Sequence, residues 1–232
     1  MRRLCELGIA PRLLAEGTHQ GSDFLVLEHV GDTSVSAEWL DTHLTDAGEL
    51  MRRYHRDPEL TSILRQTGGM NSEFSHSPLL DASVAQMESR LKSSVQFSNA
   101  WVRFQDLGAG LSQEAFVPTH GDPNFYNFLR PAERLLLVDW DGMRLDCSGR
   151  DVGPFLWWYA PPNHWPEFFD TYGECQPDAA IYWWAARASL RVALWFLKRG
   201  QPELAEPFIT DFASASRQEE NPRGSWTRHR HR

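Results

Sequence analysis

The chain is poor in cysteine, and its metal-binding residue types are scattered. Of 232 residues only three are cysteines, Cys5, Cys147 and Cys175, and they form no C-x-x-C pair. An odd set of this kind is typical of reduced thiols in a cytoplasm and argues against a disulfide framework. Nine histidines show no metal-ligand spacing, which argues against a structural zinc site. We therefore expect a cytoplasmic protein whose fold depends on neither disulfides nor zinc.

Long uninterrupted apolar runs are also lacking. The first apolar stretch is broken by Glu6 and Arg12, so the sequence predicts no signal peptide. The segment Asp178 to Arg199 is long enough to resemble a membrane span, but Arg187 and Arg191 in its middle make insertion costly. We expect a buried helix there and no membrane partner. With 41% hydrophobic residues and no repeats, the chain has the composition of an ordinary globular domain.

The charge is uneven along the chain. The net charge is −8, yet the segment Asn221 to Arg232 carries four arginines and no acid, so the remainder is more acidic still. An acidic cleft would attract a cationic substrate and repel nucleic acid. Alternatively, the acid excess only keeps the protein soluble. Residues 221–232 are expected to be a disordered basic tail.

The segment His120 to Asp141, HGDPNFYNFLRPAERLLLVDWD, is the most informative in the sequence. Asp122 stands five residues before Asn127, and Asp139 follows twelve residues later at the end of an apolar run. The catalytic loop of protein kinases, H-R-D-x-x-x-x-N, has this spacing; its Asp meets the acceptor hydroxyl and its Asn holds magnesium. The pattern predicts a site of phosphoryl transfer.

Elementary chemistry supports the same assignment. Magnesium prefers oxygen ligands and usually takes only one or two from the protein, which suits Asn127 and Asp139. Pro131 begins a turn between two short apolar runs, and the resulting hairpin would set these two ligands side by side. Asp122 would then remain on the preceding loop, free to take the proton of the acceptor. Turn capping is the alternative role for such acidic residues.

Two further residues of the segment are given supporting roles. His120 is expected to brace the loop through a hydrogen bond rather than to transfer protons. Asp141 is expected to be a supporting carboxylate near the metal ligands.

With these residues identified, the chain resembles the aminoglycoside phosphotransferase and choline kinase family, small-molecule kinases with a protein-kinase-like fold. VPTHGDPNFYNFL and LLLVDWDG match its H-G-D-x-x-x-x-N loop and its I-D-W-E setting of the metal Asp. Weaker matches are Leu7 to Leu14, for the link from the αC helix into a strand, Phe24 to Asp32, for the strand and hinge, and Ala47 to His55, for a helix. The resemblance implies that the backbone of Glu28 and Val30 binds the adenine of ATP. It also implies a structural brace at the Asp of Arg150-Asp151-Val152-Gly153.

The chain departs from that family at its beginning. Only ten residues precede Pro11, and they contain neither a lysine nor a Gly-rich run, whereas such kinases have a Gly-rich loop and a strand Lys that hold the phosphates. Three explanations stay open: a start codon inside a longer gene, a fragment, or a degenerate kinase that has lost its nucleotide clamp.

We therefore expect an α+β, protein-kinase-like fold. Residues 1–31 would be a remnant of the N-terminal β lobe with the hinge, and residues 32–220 a mainly helical C-terminal catalytic lobe. The predicted function is an ATP- and Mg²⁺-dependent kinase that phosphorylates a hydroxyl of a small molecule. A pseudokinase or ligand-binding module is the first alternative. A metal-dependent phosphohydrolase that uses His120 is disfavoured by the Asn spacing.

Periodicity predicts three helices and one loop. Apolar residues form one stripe in the first helix, one buried face in a long helix that begins at Ser77-Pro78, and two stripes in the helix from Asp178 to Arg199. In order, these are Ala47, Leu50, Met51 and Tyr54; Leu80, Val84, Met87, Leu91, Val95 and Val102; Ile181, Trp184, Ala188, Val192 and Trp195; and Trp183, Leu190, Leu194 and Leu197. The stretch Arg56 to Ser77 is expected to be a flexible connection. The aromatic residues Trp157, Trp158, Tyr159 and Trp165 are expected to pack in the core, with an aromatic wall for a cationic ligand as the alternative.

Overall fold

The chain begins with a short helix and an exposed β-hairpin. The computed structural model describes residues 1–31, 33–67, 84, 91, 95–111, 116–173 and 179–221. Helix α1 (Arg2–Glu6) is followed by strands β1 (Leu13–His19) and β2 (Ser22–Leu27), which pair antiparallel. Their turn residues Gln20 and Gly21 both have positive φ, which suits a two-residue hairpin. Strand β2 is the strand expected before the hinge, and its apolar side chains are largely exposed.

Three helices follow the hairpin: α2 (Ala37–Asp41), α3 (Leu44–His55) and α4 (Pro58–Gln66). The stripe predicted in α3 is confirmed, since all four of its side chains are buried. The flexible connection predicted from Arg56 was wrong, because α4 occupies residues 58–66. The Asp57 carboxylate accepts a hydrogen bond from the Leu60 N–H at 2.6 Å, and Pro58 occupies the first helical turn, so this helix has a strong N-terminal cap. Residues 68–77 of the predicted connection lie outside the described residues.

Two small antiparallel pairs of strands lie in the middle of the chain. Strand β3 (Val117–Thr119) pairs with β6 (Arg144–Asp146), and β4 (Phe128–Leu129) pairs with β5 (Leu136–Leu137). The hairpin predicted between Asn127 and Asp139 is thereby confirmed. Between β4 and β5 the chain turns through a 3₁₀ segment, Pro131–Glu133.

Five helices form the bulk of the C-terminal part: α5 (Val95–Ala109), α6 (Gly149–Tyr159), α7 (Trp165–Tyr172), α8 (Ala179–Lys198) and α9 (Pro202–Ser216). Together with β1 to β6 they give the predicted α+β class. In the described part of the chain, no helix is long and apolar enough to cross a membrane. The helix predicted from Asp178 to Arg199 is confirmed as α8.

Two positions of the predicted apolar stripes are corrected. Val102 was expected on a buried face of the long helix but is 55% exposed on α5, and Trp195 was expected in a stripe of α8 but is 48% exposed. The Arg199 guanidinium lies 3.6 Å from the centre of the Trp195 ring, so a cation rather than the core covers this indole. The other α8 stripe is buried throughout. Leu80, Met87 and the side chain of Val95 lie outside the described residues.

Aromatic packing dominates the core, as predicted. Trp157, Tyr159 and Trp165 are buried, whereas Trp158 is half-buried. Phe104 of α5 stacks on Trp183 of α8 with ring centroids 5.2 Å apart. Such pairs stabilise a core beyond the area they bury.

The predicted tail and thiols are only partly described. Asn221 was placed in the disordered tail, but it is buried, and its amide nitrogen donates a hydrogen bond to the Trp157 carbonyl at 2.5 Å. The folded part therefore includes this residue, and residues 222–232 lie outside the described part. Cys5 and Cys147 are free of disulfides; Cys175 is outside the described residues.

Helices α6 and α8 pack closely together at Gly153. A Cβ atom built there would come 2.5 Å from the Ile181 carbonyl oxygen, which is closer than real contacts allow. We expect Gly153→Ala to lower the free energy of unfolding by about 1–3 kcal/mol, because backbone rather than a flexible side chain must move. Urea denaturation of both proteins measures the loss. Gly110→Ala serves as a control for glycine replacement without a packing clash, because a Cβ atom there would make only ordinary contacts, at 3.6 Å or more, and its φ is not positive. A Gly153 variant as stable as the wild type would show that the two helices separate easily.

Candidate active site

A buried carboxylate, Asp151 at the start of α6, organises the loop that carries the predicted site. Its Oδ2 accepts hydrogen bonds from the His120 N–H at 2.7 Å and from the Tyr54 hydroxyl at 2.8 Å, and its Oδ1 accepts one from the Gly121 N–H at 2.6 Å. His55 Nε2 lies 3.1 Å from Oδ2. The brace expected at this residue is confirmed, and it joins α3, α6 and the loop at one point.

The charge of Asp151 is maintained by these contacts. Burial by itself would raise the carboxyl pKa, but the hydrogen bond and charge of His55, aided by Arg150, lower the pKa of Asp151 to about 2. Burial and the nearby carboxylate raise the pKa of Tyr54 well above its usual value, so this hydroxyl stays protonated and donates. His55 Nδ1 lies 2.7 Å from the Tyr172 hydroxyl oxygen, so both ring nitrogens of His55 have a hydrogen-bond partner.

His120 ties the loop to the end of strand β5. Its Nε2 lies 2.8 Å from the Val138 carbonyl oxygen, and its Nδ1 accepts the Asp122 N–H at 3.2 Å. The ring is fully buried and meets Trp140 edge-on, with centroids 4.6 Å apart. These contacts make His120 a link between the residues before Asp122 and those before Asp139, which matches the bracing role expected for it.

Gly121 occupies a position where a side chain would not fit. Its φ is +91°, a conformation that L residues rarely adopt, and a Cβ atom there would collide with the Arg150 guanidinium. That guanidinium is itself held by the Thr119 hydroxyl at 2.8 Å and the Gly142 carbonyl at 3.1 Å. The glycine in the H-G-D triplet thus allows Arg150 to pack against the loop.

Asp122 and Asn127 are joined across the turn between them. The Asn127 amide nitrogen donates to the Asp122 carbonyl at 2.9 Å, and the Asn124 N–H donates to the same oxygen at 2.8 Å. Because the amide nitrogen of Asn127 is committed inward, its oxygen is the atom that would meet a cation. The Asp122 side chain is exposed and therefore accessible to a molecule bound at the loop.

The hairpin brings Asp139 next to Asn127. The Val138 N–H donates to the Asn127 carbonyl at 2.9 Å, so the residue before Asp139 lies directly opposite Asn127. Asp139 has φ 65° and ψ 57°, a left-handed conformation that is uncommon outside glycine and recurs at functional sites. Its side chain is exposed. The two predicted metal ligands therefore lie on adjacent backbone segments.

The remaining predicted residues are less constrained. Asp141 is exposed in the 3₁₀ turn Trp140–Gly142, two residues beyond Asp139. Glu28 follows β2, its N–H donates to the Arg12 carbonyl at 2.8 Å, and Val30 is half-buried. Among the described residues, no three His, Cys, Asp or Glu side chains form a metal site by themselves. An amide oxygen and one carboxylate nevertheless suit magnesium, which leaves most of its positions to water and phosphate.

A cleft opens beside Asp122. Its walls are the H-G-D loop, residues along the length of α6 and one face of α8. The lining residues are Gly121, Asp122, Pro123, Asn124, Arg150, Pro154, Phe155, Trp158, Trp184, Arg187, Ala188 and Arg191. The three arginines of the lining were not predicted as site residues. For Arg187 and Arg191 the sequence did contain an indication, because residues four apart in a helix lie on the same face.

Comparison with known proteins shows the family and the fold. The family model described as the phosphotransferase enzyme family matches residues 1–184. The fold is similar to a choline/ethanolamine kinase family protein from Mesorhizobium loti, with a TM-score of 0.58, 17% identity, and coverage of 94% of this chain and 82% of that one. It is also similar to the GDP complex of aminoglycoside 2'-phosphotransferase-IIIa, with a TM-score of 0.65, 14% identity, and coverage of 94% and 80%.

A third similar structure is the choline kinase LicA from Streptococcus pneumoniae, with a TM-score of 0.56, 13% identity, and coverage of 92% of this chain and 78% of that one. At identities this low, structural similarity shows only that the fold is shared. The match to the family model shows to which family the chain belongs. The chain has a protein-kinase-like α+β fold and belongs to the phosphotransferase enzyme family.

Proposed function

We propose that this protein is an ATP-dependent phosphotransferase that acts on a hydroxyl group of a small molecule. The observation that carries the proposal is the joined arrangement of the H-G-D loop and the β4–β5 hairpin. The loop presents Asp122, the Asn127 amide nitrogen is fixed to the Asp122 carbonyl at 2.9 Å, and the hairpin sets Asp139 beside Asn127. Phosphoryl transfer needs mainly such positioning, because the protein contributes little covalent chemistry.

The acceptor would bind in the cleft with its hydroxyl at Asp122. As the acceptor oxygen forms its bond to the γ-phosphorus, the bond from that phosphorus to the bridging oxygen breaks and ADP leaves. The proton of the hydroxyl passes to the Asp122 carboxylate. Asp151 and His120 would act indirectly, because their hydrogen bonds hold the backbone on either side of Gly121.

Magnesium would be held by the Asn127 amide oxygen and the Asp139 carboxylate, with Asp141 close along the chain. When bound, the ion neutralises charge on the phosphate oxygens. The adenine would be bound by the backbone of Glu28 and Val30, by analogy with the hinge of kinases. Similar proteins were solved as nucleotide complexes, among them the AMP complex of a spectinomycin phosphotransferase, with a TM-score of 0.56 and 16% identity over 84% of this chain and 70% of that one.

A ligand-binding module without transfer activity is the second candidate. Such a module would bind a ligand in the cleft beside Asp122 without transferring a phosphoryl group. Measurement of ATP consumption with a panel of amino alcohols, sugars, hydroxy acids and aminoglycosides separates the two candidates. Steady turnover with any acceptor supports the kinase, whereas ligand binding without turnover supports the module.

Asp139→Ala is expected to abolish the magnesium-dependent part of ATP binding. The reason is that a carboxylate ligand has no substitute in the motif once it is removed. The measurement is the increase in melting temperature caused by ATP, with and without magnesium, for both proteins. Asp106→Ala, an exposed carboxylate on α5, is the matched control and should respond as the wild type does. If Asp139→Ala retained the full magnesium effect, Asp139 would not be a ligand.

A further inference from the structure

The charge of the acceptor cleft differs from that of the whole protein. The chain carries a net charge of −8, but the described lining of the cleft holds three guanidinium groups, Arg150, Arg187 and Arg191, against one carboxylate, Asp122. A ligand in a cleft experiences the charges that line it more strongly than distant ones, because nearby low-dielectric walls focus the field. The described lining of the cleft therefore has a net positive charge.

We propose that the acceptor is a hydroxyl compound that also carries an anionic group, a carboxylate or a phosphate, which Arg187 and Arg191 bind. This inference rests on the proposed phosphotransferase function and narrows its substrate class. It also replaces the expectation, based on the acidic composition of the chain, that the substrate is cationic. A cationic acceptor would have to lie against the guanidinium groups of Arg187 and Arg191.

The two arginines are arranged for one anion. They stand four residues apart in the middle of α8, so they project from the same face of the helix. The Arg187 guanidinium lies 5.2 Å from the centre of the Trp184 ring, one turn earlier, which gives this cation a fixed platform. Guanidinium groups bind carboxylate and phosphate through paired N–H donors, and such bonds are among the stronger ones in proteins.

Arg150 adds positive charge beside Gly121 of the H-G-D loop. Its guanidinium donates to the Thr119 hydroxyl and the Gly142 carbonyl and lies 3.8 Å from Asp146. These contacts fix its position against Gly121 and next to Asp122. The charge near the reacting hydroxyl is thus nearly balanced, whereas the α8 wall is positive. The anionic group is accordingly placed at α8 and the hydroxyl at the loop.

An independent observation comes from Trp158, which lines the same cleft. Its indole N–H is buried and has no hydrogen-bond partner among the described residues. A buried donor without an acceptor costs free energy, so such a group commonly marks a place where a ligand or water accepts. An anionic oxygen supplies that acceptor, whereas an ammonium group does not. The rings of Phe155, Trp158 and Trp184 would pack against an apolar or planar body between the two ends of the acceptor.

The test uses three probes that share one ring: para-hydroxymethylbenzoate, its primary amide, and para-aminomethylbenzyl alcohol. Calorimetry without nucleotide measures their binding, so the result does not depend on phosphoryl transfer. We expect the benzoate to bind at least tenfold more tightly than the amide or the amine. The analogous para-hydroxymethylphenyl phosphate then shows whether carboxylate or phosphate is preferred. Equal binding of the benzoate and the amide, stronger binding of the amine, or no binding of the anions would overturn the proposal.

Two variants locate the anion. Arg191→Gln, at an exposed position, is expected to weaken benzoate binding about tenfold without changing amide binding. Trp158→Phe, which keeps the ring and removes the N–H, should weaken it several-fold. Arg199→Gln, beyond the end of α8 and outside the cleft lining, is the matched control and should bind as the wild type does. Wild-type affinity in Arg191→Gln would overturn the proposal that Arg187 and Arg191 together bind the anion.

The same probes distinguish this inference from the proposed function in an assay of ATP consumption. Turnover of the amine but not of the benzoate would support the phosphotransferase and overturn the anionic acceptor. Arginine-dependent binding of the benzoate with no turnover of any acceptor would support the anion site and argue against transfer.

Discussion

Asp122→Asn is expected to lower phosphoryl transfer by about a thousandfold while leaving nucleotide affinity unchanged. The substitution keeps the shape of the side chain and the backbone carbonyl that receives the Asn127 and Asn124 donors. It removes only the carboxylate that takes the acceptor proton in the transition state. A loss in kcat with little change in KM is the signature of an interaction made only there.

The measurement is steady-state ATP consumption with an acceptor that the wild type turns over, together with ATP binding by calorimetry. Asp170→Asn makes the same chemical change at an exposed position on α7 and should retain full activity. If Asp122→Asn kept turnover within a few-fold of the wild type, Asp122 would not be the base. Loss of ATP affinity in the variant would instead indicate that Asp122 positions the nucleotide.

The sequence predicted the parts of this protein that depend on short-range patterns. The α3 stripe of Ala47, Leu50, Met51 and Tyr54 follows a helical period and is buried throughout. The β4–β5 hairpin was predicted because Pro131 interrupts two apolar runs, and the strands pair as expected. Both features are determined by residues close to one another in the chain, so periodicity and turn chemistry suffice to find them.

Long-range contacts account for what the sequence did not reveal. Tyr54 and His55 reach Asp151 from almost a hundred residues away, and no local pattern specifies such a pairing. The α8 arginines were noticed only as an obstacle to membrane insertion, because their place in the cleft depends on how α6 and α8 pack. Helix α4 was missed for a different reason: the Gly, Ser and Thr content of the region outweighed the Asp57-Pro58 cap that starts it.

Among the residues around the site, Asp151 is the one at which we expect a conservative substitution to destabilise the fold most. Its two oxygens each accept a backbone N–H, from His120 at 2.7 Å and from Gly121 at 2.6 Å. An asparagine in either orientation would set its NH₂ group against one of these donors. A backbone N–H cannot reverse its role, whereas the Tyr54 hydroxyl can. Asp151→Asn therefore leaves at least one buried donor unsatisfied whichever way the amide turns.

The pH dependence of stability gives that prediction a specific signature. The pKa of Asp151 is lowered from 3.8 to about 2 in the folded protein, so its stabilising contribution is complete above its ordinary pKa. The contribution is lost as the pH falls from about 4 toward about 2, because the unfolded chain binds the proton first. An uncharged side chain at this position cannot show that loss.

We therefore expect Asp151→Asn to lower the free energy of unfolding by about 2–4 kcal/mol at pH 7 and to reduce its slope between pH 4 and pH 2. Urea denaturation across this pH range measures both quantities, with Asp170→Asn as the control for a lost surface carboxylate. Unchanged stability at pH 7 would mean that the loop is not held by this carboxylate. Because the same bonds hold the backbone on either side of Gly121, the variant should also lose turnover at temperatures where it is still folded, as the geometry of Asp122 relaxes. If the folded Asp151→Asn protein had full activity, Asp151 would contribute to stability but not to phosphoryl transfer.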